Sequence, residues 1–327
     1  MCHYSVHQTR EIAVLVDDGI RTLDVAALIE VIDVAKTLGY PYDISLYSIS
    51  NSTSVECSSG LRFATAPISA CPATIDTLVV VSSDHHIGQE MPQQAVDVMQ
   101  SHAASSKRTA GVAGGAFVLA AAGLLDGRRA TTHWRHLDEL AARHPTIRIE
   151  RDSVFVRDGS VWTSAGAAAG VDLALAFIAD DHGADVAHEI SKDMVLLSRR
   201  MEGHPQISAA ARAPRPKHSG LERLMATISA DPAGHYELDT VAADVGMSPR
   251  HLARLFKAQT GVTLRQYVYE VRLENAVDLV HAGESFTAAA KRSGLRYGAR
   301  IRDHLVAHQS LATAEPVEQL RYARTVG

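Results

Sequence analysis

Short apolar runs alternate with stretches of helical periodicity over the first two hundred residues of the chain. The runs predict strands at Ile12–Val16, Ile44–Ile49, Leu78–Ser82, Thr109–Val112 and Val161–Ser164. The periodic stretches predict helices at Leu23–Leu38, Gln93–Ala104, Ala116–Ala122, Trp134–Ala142 and Gly170–Asp181. Strands that alternate with helices are typical of a doubly wound α/β fold, so we expect a parallel sheet covered by helices on both faces. Small molecules bind such sheets beyond the carboxyl ends of the strands.

A different pattern, that of two short helices joined by a tight turn, occupies Leu238 to Thr263. The first helix has an apolar stripe formed by Val241, Ala242 and Val245. Gly246 supplies the turn, and Ser248 can cap a second helix that has Pro249 at its first position, where a missing N–H costs nothing. The order of these signals predicts a helix-turn-helix motif of the kind that reads DNA.

The second helix of this motif separates apolar from basic side chains. Its inward face has residues at i, i+3 and i+4, namely Leu252, Leu255 and Phe256. Its outward face carries Arg250, His251, Arg254 and Lys257. Arginine can bond guanine bidentately or hold phosphate, so we expect this face to enter the major groove of DNA. An ordinary solvated basic face is the alternative, but the cap, the glycine turn and the apolar spacing together favour the DNA-reading interpretation.

A second copy of the motif follows the first. Leu264 to Ala282 predicts one long amphipathic helix, whose apolar side is formed by Tyr267, Val268, Val271, Ala276, Leu279 and Val280. Phe286 to Leu295 then predicts a short helix before a second basic helix at Gly298 to His308, with Ile301 and Leu305 inward. Two such motifs joined by one long helix resemble the DNA-binding domain of AraC/XylS transcription regulators. The segment GMSPRHLARLFKAQTGVT matches that family nearly position for position. The match implies that Arg250 and Arg254 occupy positions from which the family contacts both the bases and the DNA backbone.

The second motif departs from the family pattern. The family has a small cap residue, two polar readers and a basic residue where this chain has Tyr297, Gly298, Ala299 and Asp303. Glycine and alanine make few base contacts, and phosphate repels an aspartate. The surface stays positive through Arg296, Arg300 and Arg302. We therefore expect the first motif to carry most of the direct readout.

Formal charge divides the chain in the same place as the hydrophobic patterns. Residues 1–211 carry 16 basic and 25 acidic side chains, whereas residues 212–327 carry 16 basic and 12 acidic ones, within a total charge of −5. An acidic front and a basic back fit a nucleic-acid-binding module joined to another domain. We predict an α/β domain over residues 1–202 with its core at about 11–182, an exposed proline-containing linker over 203–220, and a DNA-binding domain over 221–322 with its two motifs at about 238–259 and 286–309.

The cysteines and the apolar segments of the chain indicate which cellular compartment and which bound groups to expect. Cys2, Cys57 and Cys71 have no metal-ligand spacing, and an odd number is a poor disulfide framework, so we expect neither a metal nor a cofactor. The start of the chain has no apolar segment longer than Ile12 to Val16, so we expect no secretory signal and no membrane span. These features predict a cytoplasmic protein, associated with the nucleoid when it is bound to DNA.

The stretch Ala110 to Trp134, AGVAGGAFVLAAAGLLDGRRATTHW, leads from a predicted strand through glycines directly into a predicted helix. This is the geometry of a nucleophile elbow, which exposes one side chain above a sheet. Together with TSAGAAAGVDLALAF it resembles the PfpI-like domain of the type 1 glutamine amidotransferase-like superfamily, above all the GlxA-like branch fused to AraC-type DNA-binding domains. The resemblance extends from about Glu11 to His182 and implies the fold expected above.

The elbow of this chain lacks the nucleophilic side chain that covalent catalysis requires. Active members of the family carry cysteine where this chain has Ala113, followed by Gly114, and a methyl group cannot act as a nucleophile. We therefore expect no catalytic residue. The resemblance places Asp24 and His133 in the same pocket, which we expect to bind a small metabolite. The alternatives are that Asp24 caps the following helix and that His133 is a hydrogen-bonded residue at a helix start.

These observations predict a sequence-specific transcriptional regulator that binds double-stranded promoter DNA. We expect a homodimer formed through the α/β domain, because paired half-sites on DNA match two symmetric modules. A small-molecule effector and RNA polymerase are candidate partners, and a membrane is not. A rival hypothesis gives the α/β domain dimerisation alone and no ligand. The competing class is an enzyme of the PfpI-like type, a hydrolase or hydratase, which Ala113 disfavours.

Overall fold

Two compact units make up the chain. The computed structural model describes residues 9–84, 87–88, 91–296, 298 and 301–303. Within them the chain passes from the first unit to the second between Gly203 and His204. Each unit contains its own clusters of buried apolar side chains, as expected of domains that pack separately.

The first unit is built around a mostly parallel sheet. The strands are β1 Arg10–Val16, β2 Tyr42–Ser48, β3 Ser54–Glu56, β4 Arg62–Ala64, β5 Ala66–Pro67, β6 Thr77–Ser82, β7 Arg108–Ala113, β8 Arg129–Ala130, β9 Arg148–Ile149, β10 Phe155–Asp158 and β11 Val161–Ser164. Seven of these form one sheet in the spatial order β10-β11-β7-β6-β1-β2-β5. The central strands β6 and β7 are buried along their whole length, as parallel strands covered on both faces must be.

Helices cover both faces of the sheet, which confirms the predicted doubly wound fold. The helices of the first unit are α1 Thr22–Thr37, α2 Gln93–Ser105, α3 Gly115–Ala121, α4 Leu137–Arg143, α5 Ala169–His182 and α6 Ala184–Asp193. Side chains of α1, α5 and α6 pack in one apolar cluster, and those of α2, α3 and α4 pack in the other. The two clusters lie on opposite faces because successive residues of a strand point to opposite sides.

The sheet differs from the expected fully parallel one at its edge. β10 pairs with β11 in the antiparallel direction, with Asp158 opposite Val161. Only two residues, Gly159 and Ser160, join these strands, and Gly159 has a φ of 62°. Antiparallel neighbours can be joined by two residues, whereas parallel ones need a long crossover. The antiparallel hairpin of β3 and β4 was also not predicted, because three-residue strands with one or two apolar side chains give no clear period.

Helices alone form the described part of the second unit. They are α7 Ala209–Arg212, α8 Ser219–Ala230, α9 Leu238–Asp244, α10 Pro249–Thr260, α11 Leu264–His281 and α12 Phe286–Arg292. Gly246 has a φ of 70° in the turn between α9 and α10, and the Ser248 hydroxyl accepts a hydrogen bond from the His251 N–H. Gly261 ends α10 in the left-handed conformation. These are the turn and cap that the sequence signals predicted.

The long helix α11 connects the first motif to the second. Thr263 and Gln266 form a capping box at its start, so two otherwise unpaired N–H groups are satisfied. Ser285 caps α12, and Ile301 is fully buried in a small cluster with residues of α11 and α12. Residues 301–303 are helical. Of the predicted second motif, Tyr297, Ala299, Arg300 and residues 304–309 lie outside the described residues.

The segment predicted as an exposed linker is partly structured. Ser208 caps α7, the four-residue helix that follows it, and Ala209 is 2% exposed against the core of the second unit. The Ala209 N–H donates a hydrogen bond to Glu274 on α11 over 2.7 Å. His204 is also buried, at 4% exposure. The expectation of a fully exposed linker was wrong here because small alanine side chains fit closely against a neighbouring helix, which linker composition does not indicate.

Candidate ligand pocket and DNA-reading surface

The junction of β7 and α3 has the conformation of a nucleophile elbow. Ala113 has a φ of 52°, which is uncommon for a residue with a side chain. A Cβ atom on Gly115 would lie 2.0 Å from the Val80 carbonyl oxygen, and one on Gly114 would lie 2.7 Å from the Ser83 carbonyl oxygen. Glycines at these positions therefore let the helix start directly against β6. The elbow is preserved although its reactive side chain is missing.

A second tight loop faces the elbow. It connects β11 to α5 and contains Gly166 with a φ of 79° and Ala167 with a φ of 50°. The Ala167 N–H donates a hydrogen bond to the Asp24 carboxylate. Asp24 lies in the first turn of α1 and is 1% exposed, and its side chain does not cap that helix. Burial raises the pKa of Asp24, and the hydrogen bond from Ala167 opposes that rise.

A cavity of about 220 Å³ lies between the two loops at the carboxyl ends of the strands. Its lining residues are Gly19, Arg21, Asp24, Ser58, Ser82, Ser83, Asp84, Ala113, His133, Ala165 and Ala167. The structure thus brings Asp24, Ala113 and His133 to one cavity. Gly114 is not among the lining residues, because it is turned towards β6 and its N–H donates to the Ser82 carbonyl oxygen.

His133 contributes a neutral imidazole to this cavity. Burial lowers its pKa, and the positive charge of Arg21 lowers it further. Its Nδ1 atom accepts a hydrogen bond from the Arg135 N–H over 3.4 Å at the start of a short 3₁₀ turn. The ring proton of the neutral form is therefore on Nε2. His133 is both a helix-start residue and a pocket residue, so the two interpretations of it are compatible.

Several polar lining residues were not singled out from the sequence. Ser82 ends β6, the neighbour of β7, and Ser83 and Asp84 follow it, so their position at the end of a buried strand was the available signal. The Ser83 hydroxyl is buried and has no hydrogen-bond partner among the described residues. Buried hydroxyls are normally paired, so this one is an exception in the wall of the cavity. Arg21 and Asp84 lie 3.8 Å apart with their side chains nearly half exposed.

The tip of the elbow carries no nucleophilic side chain. Ala113 occupies the point of the elbow and presents a methyl group. Asp24, which lines the same cavity, therefore has no thiol or hydroxyl to activate at that position. The free cysteines among the described residues are Cys57, which is buried, and Cys71. Burial raises the pKa of Cys71 to about 11, which keeps it protonated and unreactive at neutral pH.

The helix α10 presents its basic side chains to solvent. Its apolar face packs inward through Leu252 and Phe256, which are fully buried, and through Leu255, which is half-buried. Its exposed residues include all four predicted DNA contacts, Arg250, His251, Arg254 and Lys257. Arg254 Nη2 lies 3.5 Å from His251 Nδ1, so these two side chains share one edge of the surface.

The described part of the second motif includes one of its predicted reader positions, Gly298. A Cβ atom on Gly298 would lie 2.8 Å from the Phe286 carbonyl oxygen, so this position is packed against α12. The Arg302 guanidinium lies 5.5 Å from the centre of the Phe286 ring. Arg296, Arg302 and Asp303 are exposed, and Arg300 lies outside the described residues.

The described residues contain neither a metal-binding cluster nor a membrane-spanning helix. Among them, no group of three or more histidine, cysteine, aspartate or glutamate side chains could hold a metal ion. None of their helices combines the length and the apolar character that crossing a membrane requires.

Comparison with known proteins assigns a family to each unit. Residues 10–180 match the DJ-1/PfpI family, and residues 241–319 match a family described as a helix-turn-helix domain. Over 228 residues the chain is 31% identical to the HTH-type transcriptional regulator GlxA from Rhizobium meliloti, an alignment that covers 68% of each protein. Two other regulators, both from Pseudomonas aeruginosa, are 33% identical over about half of their own length.

Other similarities concern the first unit. An isonitrile hydratase from Pseudomonas putida is 37% identical over 136 residues, which is 41% of this chain and 57% of that enzyme. Among solved structures, a THiJ/PfpI family protein from Pseudomonas syringae aligns with a TM-score of 0.53 at 24% identity, over 68% of this chain and 87% of that one. That likeness shows the fold.

Proposed function

Because the chain belongs to the DJ-1/PfpI family and carries a helix-turn-helix domain after it, we propose that the protein is a sequence-specific transcriptional regulator that binds promoter DNA. The observation that carries this proposal is the surface of α10. One face of the helix is held in a buried core, and the other projects Arg250, Arg254 and Lys257 into solvent. A major groove accepts a helix held in this way. The similarity to curated regulators supports the same function.

The α/β unit has the role of a sensor in this proposal. Its cavity binds a small-molecule effector, and no chemistry follows because Ala113 offers no nucleophile. The unpaired Ser83 hydroxyl and the buried Asp24 carboxyl group supply hydrogen bonds to the effector. A cavity of about 220 Å³ is smaller than the roughly 300–1,000 Å³ of most ligand pockets, so the effector is small.

The proposal includes two protein partners, a second copy of the chain and RNA polymerase. The protein acts in the cytoplasm as a homodimer formed through the α/β unit, which places two DNA-binding modules on paired half-sites. RNA polymerase is the partner that such binding would recruit or block. The sensor domain comprises residues 1–202 and the DNA-binding domain residues 221–322, and Arg250, His251, Arg254, Lys257, Arg296, Arg300 and Arg302 face DNA.

Genome-wide occupancy of the tagged protein tests the proposed function. We expect discrete promoter peaks that share a motif, followed by gel shifts on the best sites in which Arg254→Ala loses specific binding. Lys36→Ala removes the same charge from the exposed side of α1 and should bind like the wild type. Diffuse occupancy with a steep salt dependence and no shared motif would contradict a sequence-specific regulator.

Enzymatic turnover is the competing function, and the similarity to an isonitrile hydratase names the reaction to assay. We expect no turnover of a small isonitrile by the wild-type protein, because the elbow carries Ala113. Turnover above the uncatalysed rate, lost in Asp24→Asn, would establish an enzyme instead.

A further inference from the structure

We propose that Asp172 couples the pocket to the DNA-binding unit by holding the segment of chain that leads from one unit to the other, which we name the junction segment and define as residues 199–203. This inference rests on the proposed function, in which the cavity binds an effector. It assigns a positioning role to a residue that does not line the cavity. Each step from the cavity to the junction segment is a short contact within the first unit.

The first step joins the pocket loop to α5. Ala165 and Ala167 line the cavity, and the loop that contains them leads directly into this helix. The Gly166 and Ala167 carbonyl oxygens accept hydrogen bonds from the N–H groups of Ala169 and Gly170 over 3.1 and 3.0 Å. Asp172 follows in the first turn of α5. A shift of the pocket loop therefore moves the start of α5 and Asp172 with it.

The second step joins Asp172 to the junction segment. Its carboxylate accepts hydrogen bonds from the Arg200 backbone N–H and from Arg200 Nε, each over 2.9 Å. Arg200 Nη2 lies 2.6 Å from the same carboxylate. The Asp172 side chain is 7% exposed, so water competes little for these contacts. Both guanidinium nitrogens contact Asp172 Oδ2, while Oδ1 accepts from the backbone N–H, so the carboxylate holds both the side chain and the main chain at Arg200.

The third step fixes the rest of the junction segment. Glu202 accepts hydrogen bonds from the Arg157 N–H and from Arg129 Nη2, both over 3.1 Å. The Gly203 N–H donates to the Ser153 hydroxyl over 3.0 Å. Arg200, Glu202 and Gly203 of the junction segment are thus each hydrogen-bonded to the α/β unit. The last residue of the segment, Gly203, is therefore still held by the α/β unit.

The chain is attached again as soon as it enters the second unit. His204 Nε2 lies 3.0 Å from Asp278 Oδ1 on α11, and Ala209 is tied to Glu274 on the same helix. His204 directly follows Gly203, so no free residue separates the two sets of contacts. A long flexible tether would dissipate a small displacement, whereas in our proposal the direct succession of Gly203 and His204 passes it on. Occupancy of the cavity then changes DNA affinity because the two states of the pocket loop hold the junction segment differently.

A covalent occupant of the cavity tests this coupling in place of the natural effector. We would replace Cys2 and Cys71 by serine, introduce Ala113→Cys, and alkylate it with iodoacetamide, which places a carbamidomethyl group in the cavity. Mass spectrometry verifies complete modification. The measured quantity is the Kd for the tightest DNA sequence selected from genomic fragments, before and after alkylation. We expect a change of about 5-fold to 150-fold, the range of ordinary allosteric coupling.

Asp172→Asn should reduce that change to less than about twofold while alkylation remains complete. Arg200→Gln removes the other half of the contact and should act in the same way, which provides a second test if one variant folds poorly. Asp180→Asn is the matched control, because Asp180 is an ion-paired residue at the other end of α5. This control should retain the full change.

The inference is overturned if alkylation changes the DNA Kd equally with and without Asp172. It is also overturned if alkylation leaves the Kd of the protein that retains Asp172 unchanged. Failure of the proposed function is a separate result, since the unmodified protein would then bind no specific DNA sequence at all.

Discussion

Ala113 and Gly166 lie so close that a Cβ atom on Gly166 would be 2.6 Å from the Ala113 Cβ. The same atom would be 2.9 Å from Asp24 Oδ1. The elbow and the loop opposite it are therefore in contact, and the shape of the cavity depends on the absence of one side chain. A cysteine at the elbow would add a sulfur atom to this crowded contact.

Gly166→Ala should destabilise the protein for two reasons. A φ of 79° costs an alanine about 1–2 kcal/mol, and the contact with Ala113 adds to that cost. Gly60 is the matched control, because it has a φ of 83° but no atom within 4 Å of an added Cβ. Urea unfolding should show a larger loss for Gly166→Ala than for Gly60→Ala. Equal losses would mean that the loop moves freely away from the elbow.

Ala113→Cys should create a thiol that can be alkylated from the cavity. The introduced side chain would stand at the elbow and line the cavity, as Ala113 does. The native Cys71 is a poor competitor because burial raises its pKa to about 11. Timed alkylation followed by peptide mass spectrometry should show modification at position 113 before position 71. Modification of Cys71 first would mean that the elbow no longer presents its side chain.

Arg254→Ala and Arg302→Ala should differ in their effect on DNA binding. Loss of a bidentate base contact by Arg254 should cost about 1–3 kcal/mol and relax sequence preference. Arg302 lies against the Phe286 ring beside the exposed Asp303, so its loss should mainly lower the salt dependence of binding. Competition gel shifts at two salt concentrations separate the two effects. Equal loss of discrimination in both variants would contradict the dominance of the first motif.

Asp181→Asn should make the stability of the first unit less dependent on acid pH. Burial alone would raise the pKa of Asp181, but Arg108, Lys107 and Tyr42 outweigh it and hold the pKa below its usual value. A carboxylate with a lowered pKa stabilises the fold above its unfolded pKa of about 3.9, and that stabilisation is lost as the pH falls through the lower folded value.

The measurement is urea unfolding of wild type and Asp181→Asn at pH 7 and at steps below pH 4. The variant should be about 3–5 kcal/mol less stable at pH 7, because it leaves the buried Arg108 short of a partner, and the difference should shrink in acid. Asp33→Asn, on the exposed side of α1, should change little at any pH. A constant difference across the pH range would show that Asp181 is not the titrating group.

Signals within a few residues, such as helix caps, turns and buried runs, were enough to predict several helices and strands. Ser248, Pro249 and Gly261 determine where α10 begins and ends through hydrogen bonds and φ preferences within a few residues, so the first helix-turn-helix motif is evident in the sequence. The buried runs of β1, β6 and β7 likewise indicate a covered parallel sheet. The substitution of the elbow nucleophile by Ala113 is also a property of the sequence alone.

Contacts between distant residues were decided only by the tertiary structure. The hydrogen bond from Ala167 to Asp24 spans 143 positions, and no periodicity encodes it. The same holds for the unpaired Ser83 hydroxyl, because whether a buried group finds a partner depends on every element around it. The direction of β10 and the docking of Ala209 on α11 depend on turn length and close packing. The sequence by itself therefore determined the buried strands, the main helices and the absence of a nucleophilic side chain at Ala113. Packing decided which side chains meet, because local propensity acts over a few residues and a pocket is assembled from many.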